Sequence, residues 1–187
     1  MANKDAAFGL RPIGKVGQNK DNQGLSEYSI AANDTAIYFQ DPVTALATGT
    51  VGVAAAGDLL LGSLNGIFYT DSTTKKPTWA NHLDASNAAT DIVGFVADDP
   101  YERFEIQSAG SVTGANIFLV ADIAYTEGDS ANYVSKTEIS GTMTSGASAQ
   151  LRIIGISKDP DNNDTASANV NVVVNINEHV LNSANGI

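Results

Sequence analysis

Residues 92–107, IVGFVADDPYERFEIQ, carry the pattern that most restricts the fold of this chain. Ile92, Val93, Phe95 and Val96 form a short apolar run of the kind a strand buried on both faces requires. Asp98, Asp99 and Pro100 break it. Proline has no amide hydrogen and a fixed φ, and aspartate side chains cap turns. The pattern then alternates, with Phe104 and Ile106 on one face and Arg103, Glu105 and Gln107 on the other. The stretch reads as two strands joined by a turn, in the middle of an all-β domain.

The same cadence runs through most of the chain. Strands are expected at 25–30 and 35–39, with Ala32, Asn33 and Asp34 turning between them and Asp41-Pro42 closing the second. Further short strands are expected at 43–46 and 50–54, split by Thr48-Gly49. Asn65-Gly66 is a hairpin signal, because a type I′ turn needs positive φ at both central residues. Residues 71–89 look least like strand, and Pro77, Trp79, His82 and Leu83 suggest one or two helical turns. Strands follow at 116–125 and 133–139, then a flexible loop at 140–148. The last pair is clear. Residues 151–156 read LRIIGI, and Val170, Val172, Val174 and Ile176 point inward across a polar loop at 159–169, with Asn171, Asn175 and Asn177 outward and Val173 the exception to the alternation. No long window has helical periodicity, so the fold class is all-β, a β-sandwich or barrel-like domain with an extended N-terminal arm. The expected division is an arm at 1–24, a β-domain at 25–177 and a tail at 178–187.

At 187 residues the chain suits one domain plus tails, or two small lobes. Its formal net charge of −11 argues against nucleic acid and anionic membrane partners, which need clustered Lys and Arg. The absence of cysteine excludes disulfides, thiolate zinc sites and cysteine nucleophiles. No apolar run approaches the roughly 20 residues of a membrane span, and the opening residues lack the apolar core of a signal peptide. A protein made and kept in the cytoplasm, or in something assembled there, is expected.

Candidate chemistry is sparse. His82 and His179 are the two histidines, so a metal site or a Ser-His-Asp triad has to use one of them, and a packing role accounts for each more simply. Asp159, Asp161, Asn163 and Asp164 imitate the first half of a calcium loop, but Asp164 stands where glycine is needed and Val170 where the closing glutamate belongs. Residues 19–24 fail the same test. The glycines make no phosphate cradle. Arg103, flanked by Glu102 and Glu105, reads as a cross-strand ion pair. No catalytic, cofactor-binding or metal residues are assigned, no cofactor and no small-molecule substrate are expected, and the chain is not read as an enzyme.

Two pieces carry a likeness: the opening Ala6-Ala7-Phe8-Gly9-Leu10-Arg11-Pro12-Ile13, and Asp98-Asp99-Pro100 leading to Phe104-Glu105-Ile106-Gln107. With the length and strand cadence, the chain resembles the decoration, or cement, proteins of tailed-bacteriophage capsids. The resemblance implies an all-β virion protein, often a homotrimer, bound to the major capsid protein on the outer surface of the shell. On that view the apolar-beaded arm straps a neighbour, and Phe8, Leu10, Arg11 and Ile13 are the capsid or subunit contact candidates. Many weak staples on one lattice act together through multivalency. An alternative is a carbohydrate-binding or adhesive β-sandwich of a fibre or host-attachment structure, with Tyr69, Trp79 and Tyr101 stacking on sugar rings.

Overall fold

The computed structural model describes residues 2–16, 24–32, 35–146 and 148–182. The chain is all-β. Its strands are β1 (Arg11–Lys15), β2 (Ser26–Ser29), β3 (Pro42–Ala45), β4 (Val51–Val53), β5 (Gly62–Thr70), β6 (Pro77–Ala80), β7 (Val93–Ala97), β8 (Glu102–Gln107), β9 (Val120–Ala121), β10 (Ile123–Ala124), β11 (Glu138–Ile139), β12 (Leu151–Ile156) and β13 (Asn171–Ile176). A five-stranded antiparallel sheet has the order β1-β8-β13-β12-β9. A second sheet has the order β2-β7-β5-β3-β4, with β6 added on β5. β10 and β11 form a separate ribbon.

The two strands of residues 92–107 exist, but they do not pair with each other. β7 lies between β2 and β5, whereas β8 lies between β1 and β13. Asp98, Asp99 and Pro100 are therefore the crossing between sheets. The crossing is held by side chains: Asp98 accepts from the Ser26 and Tyr28 hydroxyls at 2.9 and 2.5 Å, and Asp99 binds the Lys15 ammonium at 2.6 Å. Burial and the Asp98 carboxylate push the Tyr28 hydroxyl up to about 12.

Each sheet has its own apolar cluster. Phe104, Ile106, Leu151, Ile153, Val172 and Val174 are fully buried on one face of the five-stranded sheet, as their alternation requires. Burying each such side chain stabilises by roughly 1.5–3 kcal/mol before entropy is counted. Leu64, Ile67, Val43 and Val96 of the other sheet pack with Ile30, Ile37, Leu83 and Ile92 from its loops.

Several local expectations are corrected. Asn65-Gly66 is no hairpin turn; it falls inside β5, where the pairing with β7 slips between Leu64 and Gly66. The glycine is required by crowding, since a Cβ there would meet Trp79 Cζ2 at 2.4 Å. No helical turn forms around Trp79; residues 77–80 are β6, paired with the second half of β5. Residues 35–39 form no strand and make only single bridges, Ile37 to Leu83 and Phe39 to Val134. Pro42 opens β3 and closes nothing. The apolar run at 116–125 is split into a 3-10 turn at Gly114–Asn116 and the short strands β9 and β10. Glu105, Gln107 and Asn171 were expected to face outward; all three are buried, Gln107 by hydrogen bonds to Lys4, Ala6 and Asn171.

The N-terminal arm is extended, and residues 2–16 lie on their own chain. Asn3 donates to the carbonyls of Asp164 and Ala168, and the Lys4 carbonyl accepts from Gln107 and Asn162. β1 then pairs with β8, bulging between Pro12 and Gly14. At the other end, Glu178 and Val180 bond to Leu60. The calcium-like stretch at 19–24 and the turn residues Asn33 and Asp34 fall wholly or mostly outside the described residues, as do residues 183–187 of the tail.

Candidate interaction surface

Two of the four arm candidates are occupied within the chain. Leu10 is fully buried in the core of the five-stranded sheet and is not available to a neighbour. Arg11 caps Phe8, its guanidinium 4.5 Å from the ring centroid, and forms an ion pair with Glu105. Glu105 thus takes Arg11 as its partner and not Arg103, while Glu102 turns inward and accepts from the Gly14 amide at 3.1 Å. Burial raises the Glu102 carboxyl against the pull of that amide. The expected ion pair at Arg103 does not form, and its side chain is exposed. Ile13, at the β1 bulge, is 44% exposed.

The histidines do not assemble a reactive group. His82 stacks on Tyr133 at 3.7 Å between centroids, with Nε2 3.5 Å from Asp84. His179 is buried, and its Nδ1 accepts from the Leu181 amide at 3.0 Å. Burial holds it below the usual imidazole range. Among the described residues, no group of three or more His, Cys, Asp or Glu is placed to hold a metal. The acidic loop turns its carboxylates to its own backbone and side chains: Asp159 accepts from Asp161 and Asn171, and Asp164 from Ala166 and Ser167. The loop's other work is to hold the arm at Asn3 and Lys4.

The exposed apolar side chains gather at the crossing between the sheets. Tyr101 is 66% exposed, and Val16, Leu25 and Leu181 lie around it. Its backbone is fixed at both ends. The Tyr101 amide donates to Asp99 at 2.8 Å, and its carbonyl accepts from Val16 at 2.9 Å. Lys15 holds the Asp99 carboxyl below the usual range, so this clamp is charged at neutral pH. Across a groove of about 410 Å³ stands Phe118, the most exposed of the large apolar residues among those described. Phe118 has φ +74°, a left-handed conformation that a bulky side chain avoids. Its amide donates to Ile153 at 2.8 Å, which fixes the ring beside β12. Ile154, Asn175 and Asn177 line the groove between the two aromatics.

A second exposed pair lies on the other sheet. Phe68 and Trp79 are cross-strand partners of β5 and β6, both more than 40% exposed. The Trp79 ring packs 4.8 Å from Phe95. Phe118 was missed in the sequence because it sits inside an apolar run, where nothing distinguishes an outward ring from a buried one. In the sequence Tyr101 stands out only as an aromatic able to stack on a sugar ring.

No protein-family model matches the chain, and neither a curated protein nor a solved structure is significantly similar to it. Among the described residues, no helix is long and apolar enough to cross a membrane.

Proposed function

We propose that this chain is a structural virion protein that docks on the outer surface of a phage capsid and stabilises contacts between capsomers, as a homotrimer on the major capsid protein. The observation that carries the reading is the exposed apolar surface around Tyr101 and Phe118. Two aromatic side chains stand on clamped backbone on either side of a groove, and such aromatics dominate binding energy when a partner covers them. The sequence resemblance supplies the capsid. Attachment through a surface of this kind needs no bond to be made or broken.

The test is co-sedimentation with purified shells, followed by imaging of the particles. Wild type is expected to remain with the shells at defined symmetry positions. The double variant Tyr101→Ser/Phe118→Ser should lose about tenfold or more in occupancy while keeping its melting temperature. A wild-type chain that stays in the supernatant at saturating concentration ends the reading.

The Phe68–Trp79 pair favours a second reading, a carbohydrate-binding module. An indole tilted at 46° against Phe95 and still 56% exposed leaves ring surface on which a sugar can stack. A glycan array that binds wild type and loses signal with Trp79→Ala would replace the first reading with this one.

A further inference from the structure

The outer face of the five-stranded sheet carries an unusual charge for so acidic a chain. Arg103 of β8 pairs with Asn175 of β13, and Asn175 pairs with Arg152 of β12. Residues directly opposite on neighbouring strands project from the same face, so the three form a row. With strands about 4.8 Å apart, the two arginines leave the sheet roughly 10 Å from one another. Both are exposed. Neither has a carboxylate partner among the described residues, although the sequence holds 21 Asp and Glu against 10 Lys and Arg. Arg152 is oriented by its bond to the Asn177 side chain, and Asn175 by its bond to the Glu102 carbonyl. Arg11 emerges further along this face, where its charge is matched by Glu105. Three guanidinium groups therefore share these strand positions with one carboxylate.

The row borders the groove between Tyr101 and Phe118, which Arg152 and Asn175 help to line. We infer that this groove and row together bind an acidic, apolar peptide segment of a partner protein. The partner's apolar side chains would lie against Tyr101, Phe118 and Ile154, and its carboxylates would take the guanidinium groups of Arg103 and Arg152. A guanidinium matches a carboxylate in a forked, two-bond geometry, which fixes register as well as adding affinity. The inference rests on reading this face as the docking surface, and it adds the chemistry of what docks there. On a chain of net charge −11 the positive row is where a carboxylate is attracted, and the acid elsewhere on the surface repels the same segment and so confines it to this face.

The test is selection from a displayed library of random peptides of about twelve residues, long enough to span the groove in extended form. Wild-type protein is expected to enrich peptides with Asp or Glu flanked by Leu, Phe or Ile. Affinity of a selected peptide, read by fluorescence anisotropy, should fall about tenfold or more in Arg103→Gln/Arg152→Gln and in Phe118→Ser. It should also weaken as salt rises from about 50 to about 300 mM. The melting temperatures of the variants should match wild type, which separates lost contacts from lost folding. Enrichment of basic or purely apolar peptides, no enrichment at all, or binding unchanged by the arginine substitutions would each overturn the inference. So would binding of a single-stranded oligonucleotide at this row, or a dimer in light scattering that disappears with the arginine substitutions. Shell binding decides the capsid reading separately: peptide selection with no shell binding removes only the capsid.

Discussion

The Leu10 amide donates to the Gln40 carbonyl at 2.9 Å, while the Leu10 side chain is fully buried in the core of the five-stranded sheet. The Leu10 carbonyl in turn accepts from the Ser63 hydroxyl of β5 at 2.6 Å. One arm residue therefore bonds its backbone to the six-stranded sheet and inserts its side chain into the core of the other. Leu10→Ala should cost about 2–5 kcal/mol in urea unfolding, because it leaves a cavity where the sheets are joined. Ile13→Ala, on the exposed bulge of the same arm, should stay within about 0.5 kcal/mol. Equal small effects would mean that the arm is not part of the folding unit.

Asp41 makes the stability depend on pH. Its side chain is fully buried, and one carboxylate oxygen has no partner. Burial pushes the carboxyl up to about 6, despite the bond from the Tyr38 amide and the opposing pull of the Ser135 side chain. Glu127 faces it and adds to the rise. The folded value lies above the unfolded one, so folding takes up a proton between them. The cost of burying the charge is absent below about pH 4, grows through the window up to about 6, and is complete above it. Two units correspond to about 3 kcal/mol at most. Asp41→Asn should therefore stabilise the protein at pH 7.5 and have little effect near pH 4. His179 works in the opposite sense: its lowered value means that acidification favours the unfolded chain. The difference between variant and wild type, measured by thermal unfolding at each pH, isolates Asp41. A difference that does not change with pH would refute the assignment.

The sequence made the strands of the last pair legible, because Val172, Val174 and Ile176 recur at every second position, with Asn171 and Asn175 on the other phase and Val173 its one apolar exception, and so declare one buried face. Phe104 and Ile106 declared theirs in the same way. What was not legible is which strand pairs with which. A turn such as Asp98-Asp99-Pro100 looks the same whether the chain folds back on itself or crosses to another sheet, and only contacts distant in sequence decide. Gly66 shows the same limit at one residue. Asn-Gly usually marks a turn through its φ preference, but here the glycine answers to the ring of Trp79, thirteen residues away. For the candidate surface, the arm was recognised as apolar-beaded, yet Leu10 serves the fold. The exposed partner of Tyr101 turned out to be Phe118, hidden within an apolar run.

Gly66 gives a clean optical test, because Trp79 is the only tryptophan of the chain. Gly66→Ala places a methyl group within 2.4 Å of its ring, so the indole must move off Phe95 or the bulge must shift. The expected result is a red-shifted emission maximum and a loss of about 1–3 kcal/mol in stability. An unchanged spectrum with unchanged stability would mean that the ring does not pack over the bulge.

Phe118 is the sharpest test of the docking surface, because its conformation and its exposure act in opposite directions on stability and binding. Its φ of +74° is one that glycine adopts freely and phenylalanine does not. The ring is 74% exposed, so little packing offsets the strain. Phe118→Gly should therefore hold stability constant or raise it by about 1 kcal/mol, since the relief of the left-handed strain exceeds the loss of a mostly solvated ring. The same substitution should remove most of the affinity for whatever covers the groove, because it deletes one of the two aromatic anchors. Phe118→Ala separates the two effects: it loses the ring but keeps the strain, so it should bind as weakly as the glycine variant and melt below that variant, close to wild type. If Phe118→Gly instead destabilises the protein by more than about 1 kcal/mol, the ring is a packing element, and the strained turn was not retained for binding.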